Sequence, residues 1–186
     1  MLGITDLKNG TTLLYEGDPH MVMSYEHSKQ GRSGAVLRTK LRNIRTGAMF
    51  DITFKGSDKF DEAALDKRTS SFLYADGDLF SFMDSTNFEQ FEIKRETLGN
   101  KALYLKEGLE VQVQFFDDQP VNVELPIKIE LTVTDTQPGV RGDTATGGSK
   151  PAILETGASV TVPIFVKNGD IVRINTVEGT YVERVR

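Results

Sequence analysis

Residues 35–44 read AVLRTKLRNI, and in them apolar side chains alternate with Arg38, Lys40 and Arg42. A two-residue period predicts a β-strand buried on one face, here with a cationic face opposite. The stretch leading into it, KQGRSG at residues 29–34, has two glycines, two cations and no apolar side chain, which predicts an exposed hairpin tip. Between residues 27 and 50 the chain carries six basic residues (Lys29, Arg32, Arg38, Lys40, Arg42 and Arg45) and no acid. A block of this kind matters more for phosphate contact than the charge of the whole chain. Arg38, Lys40, Arg42 and Arg45 are therefore candidates for contact with RNA backbone, where cations give position and affinity but do not read sequence. The plainer alternative is a solvated strand face. Further out, residues 12–15 and 20–25 flank the turn Gly17-Asp18-Pro19 as a hairpin, and residues 49–54 alternate again. The first third is expected to form a small SH3-like barrel.

The same punctuation continues along the chain. Asn9-Gly10, Thr46-Gly47, Asp76-Gly77, Asn168-Gly169 and Glu178-Gly179 separate short runs rich in Val, Ile, Thr, Phe and Tyr, the pattern of many strands joined by hairpins. The middle third opens with a helix-like or connecting run at 61–68. Strands are expected at 70–74, 79–83 and 90–93, short helical turns at 95–98 and 103–106, and a hairpin of 111–116 with 121–125 across 117–120. Five strands with a short helix is an OB-like count. The last third starts with an alternating strand at 127–134 and resumes with strands at 152–155, 159–166, 171–176 and 181–185, a second OB-like unit. Between them runs a long polar loop at 137–151, and an irregular loop of that length in a compact domain is often functional. The reading is an all-β chain of three domains, 1–62, 63–126 and 127–186.

Charge follows these divisions. Residues 1–62 hold 9 Lys/Arg and 8 Asp/Glu, residues 63–125 hold 6 and 12, and residues 126–186 hold 7 and 7, which together give the net −5. An acidic middle third argues against RNA wrapping there; it suits solvent or a basic protein. The absence of cysteine excludes disulfides and thiolate chemistry. There is no apolar run of membrane-spanning length and no basic, apolar leader at the start, so the cytoplasm is the expected compartment and no membrane is expected as a partner.

Nothing in the sequence assembles an active site. His20 and His27 are the only histidines and sit in no metal or triad spacing; the Asp117-Asp118 pair lies at a hairpin tip; residues 142–148 are glycine-rich but lack the Gly-Lys-Ser/Thr of a phosphate loop. No catalytic residue, metal or cofactor is expected. A general oligonucleotide-binding protein remains the alternative, but it calls for aromatic platforms interleaved with cations, and Phe80, Phe82 and Phe88 lie in the most acidic third.

Several segments in order resemble the bacterial elongation factor P family: residues 29–41 followed by Arg42-Asn43-Ile44-Arg45-Thr46-Gly47; Leu73-Tyr74-Ala75-Asp76-Gly77-Asp78 with Phe82-Met83-Asp84 and Phe88-Glu89-Gln90; Val123-Glu124-Leu125-Pro126; residues 139–147 (GVRGDTATG) with Lys150-Pro151-Ala152 and Glu155-Thr156-Gly157; Val162-Pro163-Ile164-Phe165 with Gly169-Asp170; and Gly179-Thr180-Tyr181-Val182. The resemblance implies an SH3-like (KOW-like) barrel and two OB barrels set in an L that imitates tRNA. It implies a monomer that binds the ribosome, through the RNA and proteins of both subunits and peptidyl or initiator tRNA, between the peptidyl and exit sites, where it relieves stalls at consecutive prolines. It implies that Arg32, within the tip formed with Lys29, Gly31, Ser33 and Gly34, points at the peptidyl-transferase centre. Family members carry there a modified lysine or a rhamnosylated arginine, so a loop-modifying enzyme, an arginine rhamnosyltransferase among the candidates, is an implied partner; an unmodified Arg32 and modification at Lys29 stay open. It implies further that Gly142-Asp143-Thr144 approaches the messenger in the exit site, against the alternative of a plain side-chain-capped turn.

Overall fold

The structure, a computed structural model, describes residues 1–29, 35–139 and 148–185. It is built of strands, with one short helix and one 3-10 turn. In chain order the strands are β1 (Leu2–Gly3), β2 (Thr12–Tyr15), β3 (Asp18–Lys29), β4 (Ala35–Asn43), β5 (Met49–Lys55), β6 (Lys59–Phe60), β7 (Asp66–Asp76), β8 (Leu79–Asp84), β9 (Gln90–Lys94), β10 (Glu110–Phe116), β11 (Gln119–Glu124), β12 (Lys128–Thr136), β13 (Ser149–Leu154), β14 (Ser159–Pro163), β15 (Ile171–Asn175) and β16 (Thr180–Val185). They form a four-stranded sheet β2-β3-β4-β5 with a β1-β6 pair, a sheet in the order β11-β10-β7-β8-β9, and another in the order β14-β13-β12-β15-β16. The chain divides into two compact units, Met1–Arg68 with Val113–Asn122, and Thr69–Gln112 with Val123–Arg186.

In the first unit β4 shows the alternation of its sequence: Leu37, Thr39 and Leu41 are buried, Arg38, Lys40 and Arg42 exposed. The buried set packs with Leu7, Leu13, Val22, Phe54 and Phe60. Pairing of β3 with β4 shifts by one residue between Val22 and Ser24, so Met23 is the extra residue of a β-bulge. The β2–β3 turn falls at Glu16-Gly17, both at positive φ, and not at Gly17-Asp18-Pro19; Asp18 and Pro19 already pair within β3. The run at 61–68 is not helical: its first five residues connect and Asp66–Arg68 open β7. Leu14 N donates to Asp61 O at 2.8 Å and Thr12 Oγ1 to Ala63 O at 3.0 Å, so this segment lies extended along β2. In Val113–Asn122, Phe116 and Val121 are buried with Ile44 and Ala63, and Arg68 donates to Asp66 and Asp118 while its guanidinium lies 4.2 Å from the Phe115 ring centroid. The Asp118 hydrogen bond, then that of Asp66, raises the Arg68 pKa above its ordinary value.

In the second unit Phe72 packs against Phe80 and Phe82, and Phe82 stacks on Phe91. The helix α1 (Arg95–Leu98) leads into a 3-10 turn at Gly99–Tyr104, earlier than the turn expected at 103–106; Leu105 is extended. The β12–β16 sheet encloses Leu131, Val133, Leu154, Val172 and Ile174, with Tyr104 and Leu109 packed on the same cluster. On its outer side Arg173 faces Glu130 on β12 and Glu183 on β16 and donates to both. The loop expected at 137–151 is shorter at its far end, because Lys150 and Pro151 pair within β13. Pro151 has no N–H to give, and the neighbouring ladder is carried by Lys150 and Ala152 across from Val162 and Val160.

Candidate functional site

The exposed row of β4 is flanked by its sheet partners in a way the linear chain hides. Glu26 on β3 stands opposite Arg38, and Asp51 on β5 stands opposite Lys40. Directly opposed residues share a face. Both carboxylates lie one residue outside the acid-free stretch 27–50, and the sheet folds them back beside its cations. A shallow groove of about 580 Å³ runs over this patch, lined by Ser24, Glu26, Arg38, Lys40, Asp51 and Thr53 among others. The face is mixed in charge at its centre, with Arg42 at one end opposite Met21 and Met49.

Arg45 is placed differently from the other three candidate cations. It lies in the turn after β4, where Asn43 Oδ1 accepts from Arg45 N at 2.9 Å and Thr46 N at 3.0 Å, and Gly47 takes φ 76. Its guanidinium pairs with Asp18 at 3.4 Å, both groups well exposed, an arrangement worth at most a fraction of a kcal/mol. Arg38, Lys40 and Arg42 are thus brought together; Arg45 stands off the row beside an acid.

The tip residues Gly31, Arg32, Ser33 and Gly34 lie outside the described residues. Lys29 is described only through its backbone, which pairs with Ala35. The β3–β4 arm therefore delivers both chain ends to the tip in register.

Gly142, Asp143 and Thr144 also lie outside the described residues, but the base of their loop is defined. Ile164 N donates to Gly148 O at 3.1 Å, and a Cβ at Gly139 would lie 2.5 Å from Ile164 O. Both glycines thus approach the same residue closely. Lys150, nearly buried, donates its ammonium to Gln137 O at 2.5 Å, a charge-assisted bond, and Thr136 Oγ1 donates to Pro151 O at 2.8 Å. Beside this base is a groove of about 520 Å³ that includes Lys150, Lys167 and the half-exposed ring of Phe165.

Of the aromatics weighed in the sequence, Phe80 and Phe82 are core; Phe88 is 69% exposed, at φ 61, in a turn whose Thr86 N–H is held by Asp84 Oδ1 at 2.7 Å. Phe165 was not singled out in the sequence, although it interrupts the apolar alternation after Pro163. Among the described residues, no cluster of three or more His, Asp or Glu side chains is arranged to hold a metal ion, and no helix is long and apolar enough to cross a membrane.

Three family models match the chain in order: the elongation factor P KOW-like domain at residues 4–60, the elongation factor P OB domain at 65–123, and the elongation factor P C-terminal model at 129–184. Elongation factor P of Natranaerobius thermophilus is 42% identical over 186 residues, covering 100% of this chain and 99% of that one. Among solved structures, a eukaryotic-type translation initiation factor 5A from Methanococcus jannaschii covers 66% of this chain and 92% of its own, at a TM-score of 0.55 and 24% identity, a likeness of fold. A KOW-like sheet followed by OB sheets, matched along its whole length in this order, defines a translation factor. The chain belongs to the elongation factor P family.

Proposed function

We propose that this chain binds the ribosome between the peptidyl and exit sites, holds the peptidyl-tRNA, and speeds peptide-bond formation where consecutive prolines stall it. One observation supports the reading most directly. The β3–β4 arm, paired as far as Lys29 and Ala35, carries Arg38, Lys40 and Arg42 on one exposed face and leads to the tip that holds Arg32. Three domains, 1–62, 63–126 and 127–186, and a monomeric state in the cytoplasm go with this reading. Arg38, Lys40 and Arg42, with Arg45 at their margin, hold RNA backbone; Gly142-Asp143-Thr144 lies along the messenger; the ribosome supplies the chemistry.

Positioning is enough for the effect. Clamping a poorly placed peptidyl-tRNA removes entropy that the reacting ends must otherwise lose, and a tenfold acceleration needs about 1.4 kcal/mol of barrier. The test is a reporter with consecutive prolines in a reconstituted translation system, with factor purified from its own host. Wild-type factor should restore full-length product and Arg32→Ala should not. Full rescue by Arg32→Ala would falsify the tip assignment. A loop-modifying enzyme acts on Arg32 or Lys29 in this reading, and the intact mass of the native protein decides between a modified and a bare tip.

A further inference from the structure

Phe165 follows β14 and is 52% exposed. The Arg184 guanidinium carbon lies over that ring, 5.3 Å from its centroid. Arg184 is steadied from behind by Asp170, at 3.4 Å, and the same carboxylate accepts the Lys167 N–H at 2.9 Å. These three contacts gather an aromatic ring, an arginine and the backbone of Lys167 in one cluster. Phe165 and Lys167 also line the groove of about 520 Å³ at the foot of β12 and β13, together with Gln137, Pro138, Lys150 and Asn168. Its described lining residues include two lysines and no carboxylate. Asp170 offsets Arg184, and Lys150 is nearly buried with its ammonium on Gln137 O, so among the described lining residues Lys167 is the exposed cation open to an anion.

We infer that this groove is a subsite for one unpaired base of single-stranded RNA, stacked on Phe165, with its phosphates drawn by Lys167. An exposed ring beside cations is what sequence-tolerant strand binding requires, because every base offers a π face and every linkage an anion. A guanidinium over the ring holds the platform in place and adds its own attraction to a base. Gln137 and Asn168 supply amide groups at the rim for base edges. A protein partner fits less well, since the described lining residues offer no carboxylate for its basic groups and the exposed Lys167 favours a polyanion. The subsite deepens the proposed ribosomal role, in which this domain lies near the messenger, but it depends on neither Arg32 nor the 142–144 loop.

The chain has no tryptophan, so Phe165→Trp installs a single indole reporter at the site. In full-length protein at low salt, titration with a single-stranded RNA hexanucleotide should quench this indole, and an abasic strand of the same length should not. Phe165→Ala and Phe165→Leu should each bind the labelled hexanucleotide roughly tenfold more weakly than wild type, the scale of one lost base–aromatic stack. Equal quenching by the abasic strand, equal affinity of wild type and Phe165→Ala, or no hexanucleotide binding at all would each overturn the inference. Polyproline rescue by wild-type factor, measured alongside, reports on the ribosomal role separately: failure of rescue with intact base-dependent quenching sinks that role and leaves the subsite standing.

Discussion

Gly139 stands so close to the backbone of Ile164 that a Cβ on it would lie 2.5 Å from the Ile164 carbonyl oxygen, whereas a Cβ at Gly148 would meet only the Ile164 side chain, at 3.2 Å. The first approach cannot be relieved by a rotamer change, because the obstacle is backbone. Gly139→Ala should cost about 1–3 kcal/mol, as overpacking does, and should displace the start of the 140–147 loop. Gly148→Ala should be milder, since a methyl group can give way. Denaturant titration of both variants checks the order; polyproline rescue should fall further for Gly139→Ala than for Gly148→Ala.

The opposition of Glu26 to Arg38 and of Asp51 to Lys40 makes the arm face a mixture of charges. Glu26→Gln with Asp51→Asn should therefore tighten ribosome binding and steepen its decline with salt, because each removed anion leaves a cation freer to displace counterions. Cosedimentation across a salt series measures this. Unchanged affinity and slope would mean that the face does not meet RNA.

Charge reversal at Arg38, Lys40 and Arg42 together should abolish cosedimentation with ribosomes while the fold persists. All three side chains are exposed in β4 and their burial contributes little to the core. Normal cosedimentation of the triple variant returns the row to an ordinary solvated surface. Arg45→Glu alone should weaken binding less, since Asp18 already offsets that guanidinium.

At the tip, Arg32→Ala should shift stability by no more than about 0.5 kcal/mol, the range of ordinary surface changes. Arg32→Lys separates two chemistries. If the native mass shows an added sugar, lysine should rescue polyproline synthesis no better than alanine, having no guanidinium to modify. If the mass is that of the bare chain, lysine should keep much of the activity as a simple cation.

Lys150→Met keeps the apolar stem but removes the ammonium that satisfies Gln137 O. Leaving a carbonyl without its donor should cost about 1–3 kcal/mol in chemical denaturation. A variant as stable as wild type would show that water takes the place of the ammonium at no cost.

Much of this molecule was legible in its sequence, because two-residue alternation and glycine punctuation are local signals. Gly10, Gly47, Gly77, Gly169 and Gly179 all take positive φ at the turns read from their dipeptides. What was not legible depended on neighbours distant along the chain. The acid-free run 27–50 looked purely cationic until β3 and β5 brought Glu26 and Asp51 alongside. The segment 61–68 carried helix-like residues but found its hydrogen-bond partners along β2. Lys150 and Pro151 looked like loop residues because lysine and proline are poor strand signals, yet β14 pairs across from both. Phe165 falls in the outward phase of the 159–166 alternation, with Ser159 and Thr161, but a phenylalanine there reads as core until the ring is seen half in solvent.

The bulge at Met23 decides which half of β3 faces outward. Before it Met21 shares a face with Arg42; after it Ser24 and Glu26 share that face with Lys40 and Arg38, while Tyr25 and His27 oppose Thr39 and Leu37. Were Met23 instead drawn into the ladder opposite Lys40, with no bulge, Tyr25 would come opposite Arg38, His27 would move to that face as well, and Glu26 would turn in opposite Leu37. The arm would then present rings where it now presents a carboxylate. Its surface chemistry is thus governed by parity, by whether Met23 takes a place in the ladder as much as by which residues follow it. Deleting the Met23 codon would remove the bulge yet leave Ser24, Tyr25 and Glu26 opposite Lys40, Thr39 and Arg38, so the mixed-charge face survives the loss of the residue that sets its phase.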